Sequence, residues 1–375
     1  KINTKISSET NKRLKHVFVI HRHGERTPDY TYPNDPYGSV DKYWPDGWQQ
    51  LTKKGKQRMY SLGKYIRKRY KNFLGDSPRE VYARSSSKDR CLESVGLVLS
   101  ALYPPVGRWK WDGQLGQHWQ PIPIITVRFC EDGMLNPRSY CPTADRDRKQ
   151  ISKSKPVNEL MAKHRNLLQY VSDKCGVQLD DWSAGMLYNT LEIQKLHNLG
   201  PIGWLNQTIY RMLREFHEMV FIFDANTRLQ KRLRAGLLLK DITDRMRQSI
   251  SDRNYSHKIA LYSTHDIQVA LLLNTLNVYD KRNIRFGATI IIELYQLNDR
   301  PQQQQYGVEV YYLNVTESEQ PYKLYLNRCH QRGGQVCHLD DFVRSVQTYI
   351  PDNWLDECRY TGGGVGGVFN IKLEL

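Results

Sequence analysis

The stretch His-Val-Phe-Val-Ile-His-Arg-His-Gly-Glu-Arg-Thr-Pro at residues 16–28 decides the fold. Its apolar part, residues 17–20, is mostly β-branched and predicts a buried strand. The glycine and the proline that follow favour a loop directly after this strand. In α/β sheets, ligands bind in the crevice at the carboxyl ends of the strands. We therefore expect Arg22, His23 and Arg26 to face such a crevice.

Two guanidinium groups beside an imidazole suit an anion with several oxygens. Arginine presents a planar fork of donors that matches phosphate, and it keeps its charge. A histidine such as His23, held among such groups, can attack phosphorus and carry the phosphoryl group. The alternative interpretation is a solvated basic loop, because the chain has 55 lysines and arginines. A metal site at His21 and His23 is disfavoured by the adjacent cations.

A second segment follows the same plan of strand, turn and helix. Residues 80–90 predict a short strand and a polar loop, and a helix follows from about residue 91 to residue 101. The helix ends at Tyr-Pro-Pro, since proline cannot continue it. Arg90 therefore lies beside a helix N-terminus, whose N–H groups also favour an anion.

A third segment lies late in the chain. Residues 258–262 predict a strand, and an apolar helix is expected over residues 267–276. His265 and Asp266 stand in the turn between them. This pair supplies a hydrogen-bond donor and a carboxyl group for proton transfer.

Together these motifs resemble the histidine acid phosphatases, in the branch of the lysosomal, prostatic and arthropod venom-type enzymes. The resemblance extends over almost the whole chain and includes residues 65–70, 119–123, 309–312 and 350–354. It implies an α/β sandwich of the histidine-phosphatase (phosphoglycerate-mutase-like) fold with an inserted α-helical cap domain. It also implies hydrolysis of phosphate monoesters through a phosphohistidine intermediate, without a metal or cofactor.

The resemblance gives each motif residue a role. It implies that His23 is the nucleophile and that protonated Asp266 gives its proton to the departing alcohol. The phosphoryl group is bound by Arg22, Arg26, Arg90 and His265. A protonated carboxylic acid accounts for an acidic optimum, because an unperturbed aspartate titrates near ~3.9.

The sequence also predicts how the chain is organised. Residues 1–128 and 247–375 hold the strand-rich segments, and residues 129–246 are mainly helical. A basic amphipathic helix is expected over residues 228–246. The resemblance makes the helical insert a cap over the phosphate site. We find no apolar run long enough for a transmembrane segment, and we expect a mature or trimmed chain, since Lys1 is not preceded by an apolar leader.

Seven cysteines indicate an oxidising compartment, either extracellular or lysosomal. The resemblance implies the pairs Cys141–Cys358 and Cys329–Cys337. The remaining cysteines are Cys91, Cys130 and Cys175. We expect the last two as candidates for a further bridge, which would leave the first as a buried thiol. Three sequons, at Asn206, Asn254 and Asn314, would carry glycans in a secreted protein.

The net charge of +16 has several interpretations. It can steer anionic phosphate esters, or favour sulfated glycans and anionic surfaces, while nucleic acid is not expected because no recognition module is present. We interpret most of it as solvated surface, with residues 64–71 and 228–234 as exposed helix faces.

A second function remains open at this stage. Ile267 and Gln268 stand where the relatives carry threonines, which can cap the helix and orient Asp266. Their loss suggests a catalytically weak or inactive phosphatase-like protein, secreted in arthropod saliva or venom. Such a protein would bind small host mediators, such as biogenic amines or eicosanoids, in the same pocket.

Overall fold

The computed structural model describes residues 12–223, 225, 227–298, 305–314, 319–326, 329 and 336–359. Within these ranges, seven strands form one mixed sheet in the order β2-β3-β1-β4-β5-β6, and β7 pairs with β5. The strands are β1 (Arg13–Arg22), β2 (Val81–Ser85), β3 (Ile259–Thr264), β4 (Thr289–Gln296), β5 (Tyr306–Leu313), β6 (Tyr322–Leu324) and β7 (Cys337–His338).

The helices lie on both faces of the sheet and in one long insertion. They are α1 (Val40–Tyr43), α2 (Lys53–Arg69), α3 (Asp89–Leu102), α4 (Pro142–Ile151), α5 (Lys155–Cys175), α6 (Asp181–Leu196), α7 (Gln207–Phe223), α8 (Arg228–Gln230), α9 (Gly236–Ser251), α10 (Asp266–Thr275), α11 (Leu339–Gln347) and α12 (Trp354–Cys358). This α/β sheet with a helical insertion confirms the predicted fold class.

The three parallel strands β1, β2 and β3 end at the same edge of the sheet. Arg22 on β1 aligns with Thr264 on β3, and Ser85 on β2 aligns with Ser263. The backbone N–H of His23 donates to the carbonyl of Thr264 over 3.0 Å. The register therefore brings the ends of all three predicted strands together, as the sequence motifs require.

Alternation along β1 divides the core between the two faces of the sheet. Val17 and Val19 pack with α2 and α3 on one face. Phe18 and Ile20 pack on the other face with α9, α10 and α11. Side chains of successive strand residues point to opposite faces, so an apolar run of four residues predicts a strand covered on both sides.

The insertion has an apolar core of its own. Helices α5, α6 and α7 share this core, and Tyr32 from the loop after β1 contributes to it. Helix α9 packs differently, because Leu238 and Ile242 join the core of the sheet. The packing thus groups α5–α7 as one helical unit and α9 with the sheet; the division at residues 129 and 246 stays a prediction.

The single helix predicted over residues 228–246 is interrupted. Residues Lys231–Ala235 form a π-helical turn between α8 and α9. Gly236 follows it, and a Cβ there would lie 2.2 Å from the carbonyl oxygen of Tyr349. The backbone therefore approaches another part of the chain closely at this point, a tertiary contact that the helical periodicity does not reveal.

The interpretation of residues 64–71 and 228–234 as exposed faces is wrong for three arginines. They form ion pairs with acidic side chains elsewhere in the fold: Arg69 with Glu293 (2.8 Å), Arg232 with Glu357 (2.6 Å) and Arg234 with Asp145 (2.6 Å). Arg234 is buried, as is the partner of Arg69. Buried charges need such partners, so part of the basic charge is structural.

The structure confirms both disulfides implied by the resemblance, Cys141–Cys358 and Cys329–Cys337. The suggested bridge between Cys130 and Cys175 is wrong, because both are free thiols. Cys175 is buried in the core of the helical unit, whereas Cys130 lies in the short turn Phe129–Glu131. Cys91 is a buried thiol, as expected.

None of the helices in the described part of the chain has the length and apolar character needed to cross a membrane.

The contact between α2 and α3 yields a matched test of packing. A Cβ at Gly63 would lie 2.3 Å from the carbonyl oxygen of Val98, whereas a Cβ at Gly96 on α3 meets nothing within 4 Å. We expect Gly63→Ala to lower the free energy of unfolding by about 1–3 kcal/mol through overpacking. Gly96→Ala should raise it by about 0.5–1 kcal/mol, because alanine restricts the unfolded chain.

Urea unfolding followed by tryptophan fluorescence measures both changes. Equal effects of the two substitutions would contradict this account of how α3 is held.

Candidate active site

His23 lies directly after β1 and is almost completely buried. Its Nδ1 contacts the carbonyl of Gly24 over 2.9 Å, and its Nε2 accepts a hydrogen bond from Nε of Arg90 over 3.2 Å. A carbonyl can only accept, so the ring proton lies on Nδ1 and a lone pair on Nε2. Burial, together with the charge of Arg90, holds the pKa of His23 well below its usual value. The imidazole is therefore neutral, as a nucleophile must be.

The turn after His23 is held by α2 and α3. A Cβ at Gly24 would lie 2.8 Å from the carbonyl oxygen of Gly55, so only glycine permits this approach of the turn to α2. The N–H of Gly24 donates to Oγ of Ser94 over 3.0 Å. Ser94 lies one helical turn after Arg90 on α3, so one helix positions both the turn and the arginine.

Arg22 and Arg26 are buried, and each is held by backbone and aromatic contacts. Nη1 of Arg22 donates to the carbonyl of Ile284 over 2.6 Å, and its guanidinium stacks 4.0 Å from the ring centroid of Phe286. Nη1 of Arg26 donates to the carbonyl of Thr27 over 3.0 Å. These hydrogen bonds leave some N–H groups of each guanidinium group for an anion.

Two acidic groups balance the arginines. Nη2 of Arg22 lies 2.6 Å from Oδ2 of Asp266. Arg26 forms an ion pair with Asp29, and Arg90 lies 3.9 Å from the same carboxylate. The ligand-free site therefore holds three guanidinium groups against two carboxylates, so an oxyanion would enter a locally positive site.

Asp266 is the first residue of α10, and its Oδ1 accepts a hydrogen bond from the N–H of Ile267 over 2.8 Å. Burial raises the pKa of this carboxyl, but the charges of Arg22 and Arg26 outweigh burial and lower the pKa to about 2. In the ligand-free site the carboxyl group is thus ionised.

The substitutions after Asp266 do not displace it from the arginines. Gln268 is buried, and its amide donates to the carbonyl of Met134 over 3.1 Å and to that of Arg234 over 2.8 Å. These bonds tie the first turn of α10 to two other segments. The start of the helix is thus anchored by an amide instead of a threonine cap.

His265 precedes Asp266 and lies against His23, with 5.7 Å between the ring centroids. Its Nε2 lies 3.0 Å from Oγ of Ser86. Burial and the charge of Arg90 hold its pKa well below the usual value, so this ring is also neutral.

A cavity of about 170 Å³ opens beside these groups. Five of the six predicted site residues line it, namely His23, Arg26, Arg90, His265 and Asp266, and the sixth, Arg22, is paired with Asp266. The other lining side chains are mainly apolar and aromatic and form what we call the apolar wall, with Phe129, Pro137, Trp182, Met186, Val220, Phe221 and Ile267. The helical unit contributes Trp182, Met186 and Val220 to this lining, and its role as a cap stays a prediction.

Several polar residues of the site were not predicted from the sequence. Four of them are Asp29, Gln49, Asn189 and His217. Asp29 follows the opening motif directly, so its position was a usable signal. The other three come from distant segments and have no local pattern that would have identified them.

The fold and the site define an α/β protein with a buried histidine and an arginine cluster built for an oxyanion. The family model described as "Histidine phosphatase superfamily (branch 2)" matches residues 13–313, and the chain belongs to this family.

Among curated proteins, the chain is 33% identical to human prostatic acid phosphatase over 365 residues, which cover 95% of this chain and 90% of that protein. It is 31% identical to human lysosomal acid phosphatase over 371 residues, covering 96% and 84%. Among solved structures, a Hafnia alvei phytase in complex with tartrate has a TM-score of 0.66 at 15% identity, covering 92% of this chain and 98% of that one. The last similarity concerns the fold alone.

The site geometry predicts the strength of oxyanion binding. Arg90→Met removes one cation but keeps an apolar side chain of similar length. We expect it to weaken orthophosphate binding by about 10–100-fold, the effect of losing hydrogen bonds to a charged group.

Isothermal titration with orthophosphate measures this change. Arg108→Met is the matched control, since Arg108 is exposed and outside the site. Equal dissociation constants for the two variants would show that Arg90 does not hold the anion.

Proposed function

We propose that the protein is an acid phosphatase that hydrolyses phosphate monoesters through a phosphohistidine intermediate. One observation carries the proposal: the lone pair on Nε2 of neutral His23 lies among three buried arginines, in one cavity with the carboxyl group of Asp266. A nucleophile, a charge-neutralising cluster and an acid are the parts that this chemistry needs.

In the first step, Arg90 turns from Nε2 of His23 to the phosphoryl oxygens, Nε2 attacks phosphorus, and the bond from phosphorus to the ester oxygen breaks. The departing oxygen takes the proton of Asp266 and leaves as an alcohol. The phosphoryl oxygens lie against the guanidinium groups of Arg22, Arg26 and Arg90, which neutralise the charge of the transition state.

In the second step, water attacks the phosphohistidine. The carboxylate of Asp266 takes a proton from this water, and the bond between phosphorus and Nε2 breaks. His23 is again neutral, and Asp266 gives up its proton to solvent when orthophosphate leaves, because its pKa falls back to about 2.

Asp266 is ionised in the ligand-free site. It can therefore act as an acid only if the bound substrate raises the pKa of its carboxyl group. Without a bound anion, Arg22 and Arg26 lower the pKa of the Asp266 carboxyl. A phosphate dianion would pair with these two arginines and weaken that effect. The dianion also places negative charge nearby. Both effects raise the pKa, so the acid form becomes available in the complex.

The apolar wall supports esters of small or peptide alcohols with an apolar or aromatic part as substrates. The enzyme interpretation is favoured over the binding-protein alternative for two reasons. The relatives of this chain are named acid phosphatases, and Asp266 lies beside Arg22. Amine, eicosanoid and sulfated-glycan ligands remain untested predictions.

We propose further that the protein is secreted or lysosomal, which its two disulfides support. Asn206 and Asn254 are exposed and suit glycosylation. The amide of Asn314 donates to the carbonyl of Asn283 over 3.1 Å, so a glycan there would alter this contact. An origin in arthropod saliva or venom stays a prediction.

Two substitutions separate the nucleophile from the acid. His23→Ala should abolish turnover of every phosphate monoester. Asp266→Asn should lower kcat/KM, which reports formation of the phosphohistidine and not its hydrolysis, by about 10²–10⁴-fold for an alkyl phosphate, the usual contribution of a general acid. The same change should cost much less with 4-nitrophenyl phosphate, whose leaving group needs no proton.

Steady-state assays between pH 4 and pH 7 measure both effects. Wild-type activity no higher than that of His23→Ala would refute the proposed function. Equal losses with the two substrates in Asp266→Asn would refute the role of the acid.

Anion binding should be coupled to proton uptake. Sulfate is a dianion at pH 5 and brings no proton of its own. Because the pKa of Asp266 is about 2 in the ligand-free site and should rise on binding, we expect uptake of up to about one proton per sulfate.

Titration calorimetry in buffers of different ionisation enthalpy measures this number. Asp266→Asn should bind sulfate without the uptake. A binding enthalpy of the native protein that is independent of the buffer would contradict the linkage.

A further inference from the structure

Ser86 lies at the end of β2, between the first and third sequence motifs, and has no part in the mechanism above. It is completely buried, and its N–H donates to the carbonyl of Ser263 on β3 over 3.0 Å. Its own carbonyl accepts a hydrogen bond from Oγ of Ser85 over 2.8 Å. The hydrogen bond to β3 holds the backbone of Ser86 at the edge of the sheet, which gives the Ser86 hydroxyl a defined position.

The hydroxyl of Ser86 meets the ring of His265. Its Oγ lies 3.0 Å from Nε2 of that ring. Sγ of Cys91 lies 3.8 Å from the same nitrogen, but the thiol donates to the carbonyl of Thr264 over 3.7 Å. The hydroxyl is therefore the nearer and stronger hydrogen-bonding partner of Nε2.

The direction of this hydrogen bond follows from the requirement that the buried hydroxyl proton of Ser86 have an acceptor. A hydroxyl has one donor, and a buried donor without a partner is costly. Within the described part of the chain, Nε2 of His265 is the one acceptor that the Ser86 hydroxyl reaches. The hydroxyl must then donate, and Nε2 must accept.

The position of the proton on the His265 imidazole follows by exclusion. A neutral imidazole carries one N–H, so a ring that accepts at Nε2 carries its proton on Nδ1. His265 lines the cavity and keeps 8% of its surface exposed. Its Nδ1 is then the nitrogen available to a bound phosphoryl group.

We propose that Ser86 is a positioning residue for phosphoryl transfer. It selects the tautomer of His265 that carries the proton on Nδ1 and so makes this ring a hydrogen-bond donor to the phosphoryl oxygens. The assignment deepens the role of the same site and rests on the proposed function.

The first test is the tautomer itself. Two-bond ¹H–¹⁵N correlation spectra of protein labelled at histidine report which ring nitrogen carries the proton, and His265→Asn assigns the signal. We expect the Nδ1–H form in the native protein and a shift toward the Nε2–H form in Ser86→Ala. An Nε2–H form in the native protein would overturn the proposal, whether or not any variant folds.

The second test is kinetic, with 4-nitrophenyl phosphate at pH 5. Ser86→Ala should lower kcat about tenfold and leave KM within about threefold, because the lost bond supports the transition state more than the bound substrate. Ser86→Thr, which keeps the hydroxyl, should restore kcat to within about threefold of the native value.

Ser85→Ala is the matched control. It removes a buried hydroxyl one position earlier, and that hydroxyl bonds to the carbonyl of Ser86, not to His265. A structural effect would lower kcat equally in both alanine variants, and this result would overturn the proposal. An inactive native protein would instead refute the proposed function, while the spectra would still decide the tautomer.

Discussion

The ion pair between Arg22 and Asp266 is the interaction on which the site depends. It joins the end of β1 to the start of α10 across 2.6 Å. Burying a guanidinium group is costly unless a partner compensates its charge. With Asp29 doing the same for Arg26, two carboxylates make a cluster of three buried arginines possible. A phosphate dianion can then replace carboxylate contacts to guanidinium groups whose burial is already compensated.

The parallel part of the sheet places these groups. The ends of β1, β2 and β3 lie at one edge, so His23, Ser86 and His265 come together although they are far apart in the chain. Helix α3 completes the arrangement, because it presents Arg90 to Nε2 of His23 and Ser94 to the turn at Gly24. The close packing of α3 on α2 therefore helps to position Arg90 and Ser94 at the site.

Much of this could be predicted from the sequence, for physical reasons. The strand at residues 17–20 is predictable because burial on both faces demands a continuous apolar run. The disulfides came from the resemblance and not from spacing. The π-helical turn Lys231–Ala235 and the burial of Arg234 arise from contacts with distant segments, so local periodicity could not predict them. The same holds for His217, which reaches the cavity from α7.

The electrostatic field of the arginines has two opposite effects. Together with burial, it holds the pKa of His23 well below its usual value, so the ring is neutral, and it lowers the pKa of Asp266, so the carboxyl group is ionised. In the proposed mechanism, His23 must therefore give up only its hydrogen bond from Arg90, whereas Asp266 must gain a proton. In the proposed mechanism, an anion that neutralises Arg22 and Arg26 raises the pKa of Asp266, so a phosphate dianion completes the site. A neutral ester would leave Asp266 ionised, and selectivity for phosphoryl groups follows from charge as well as from shape.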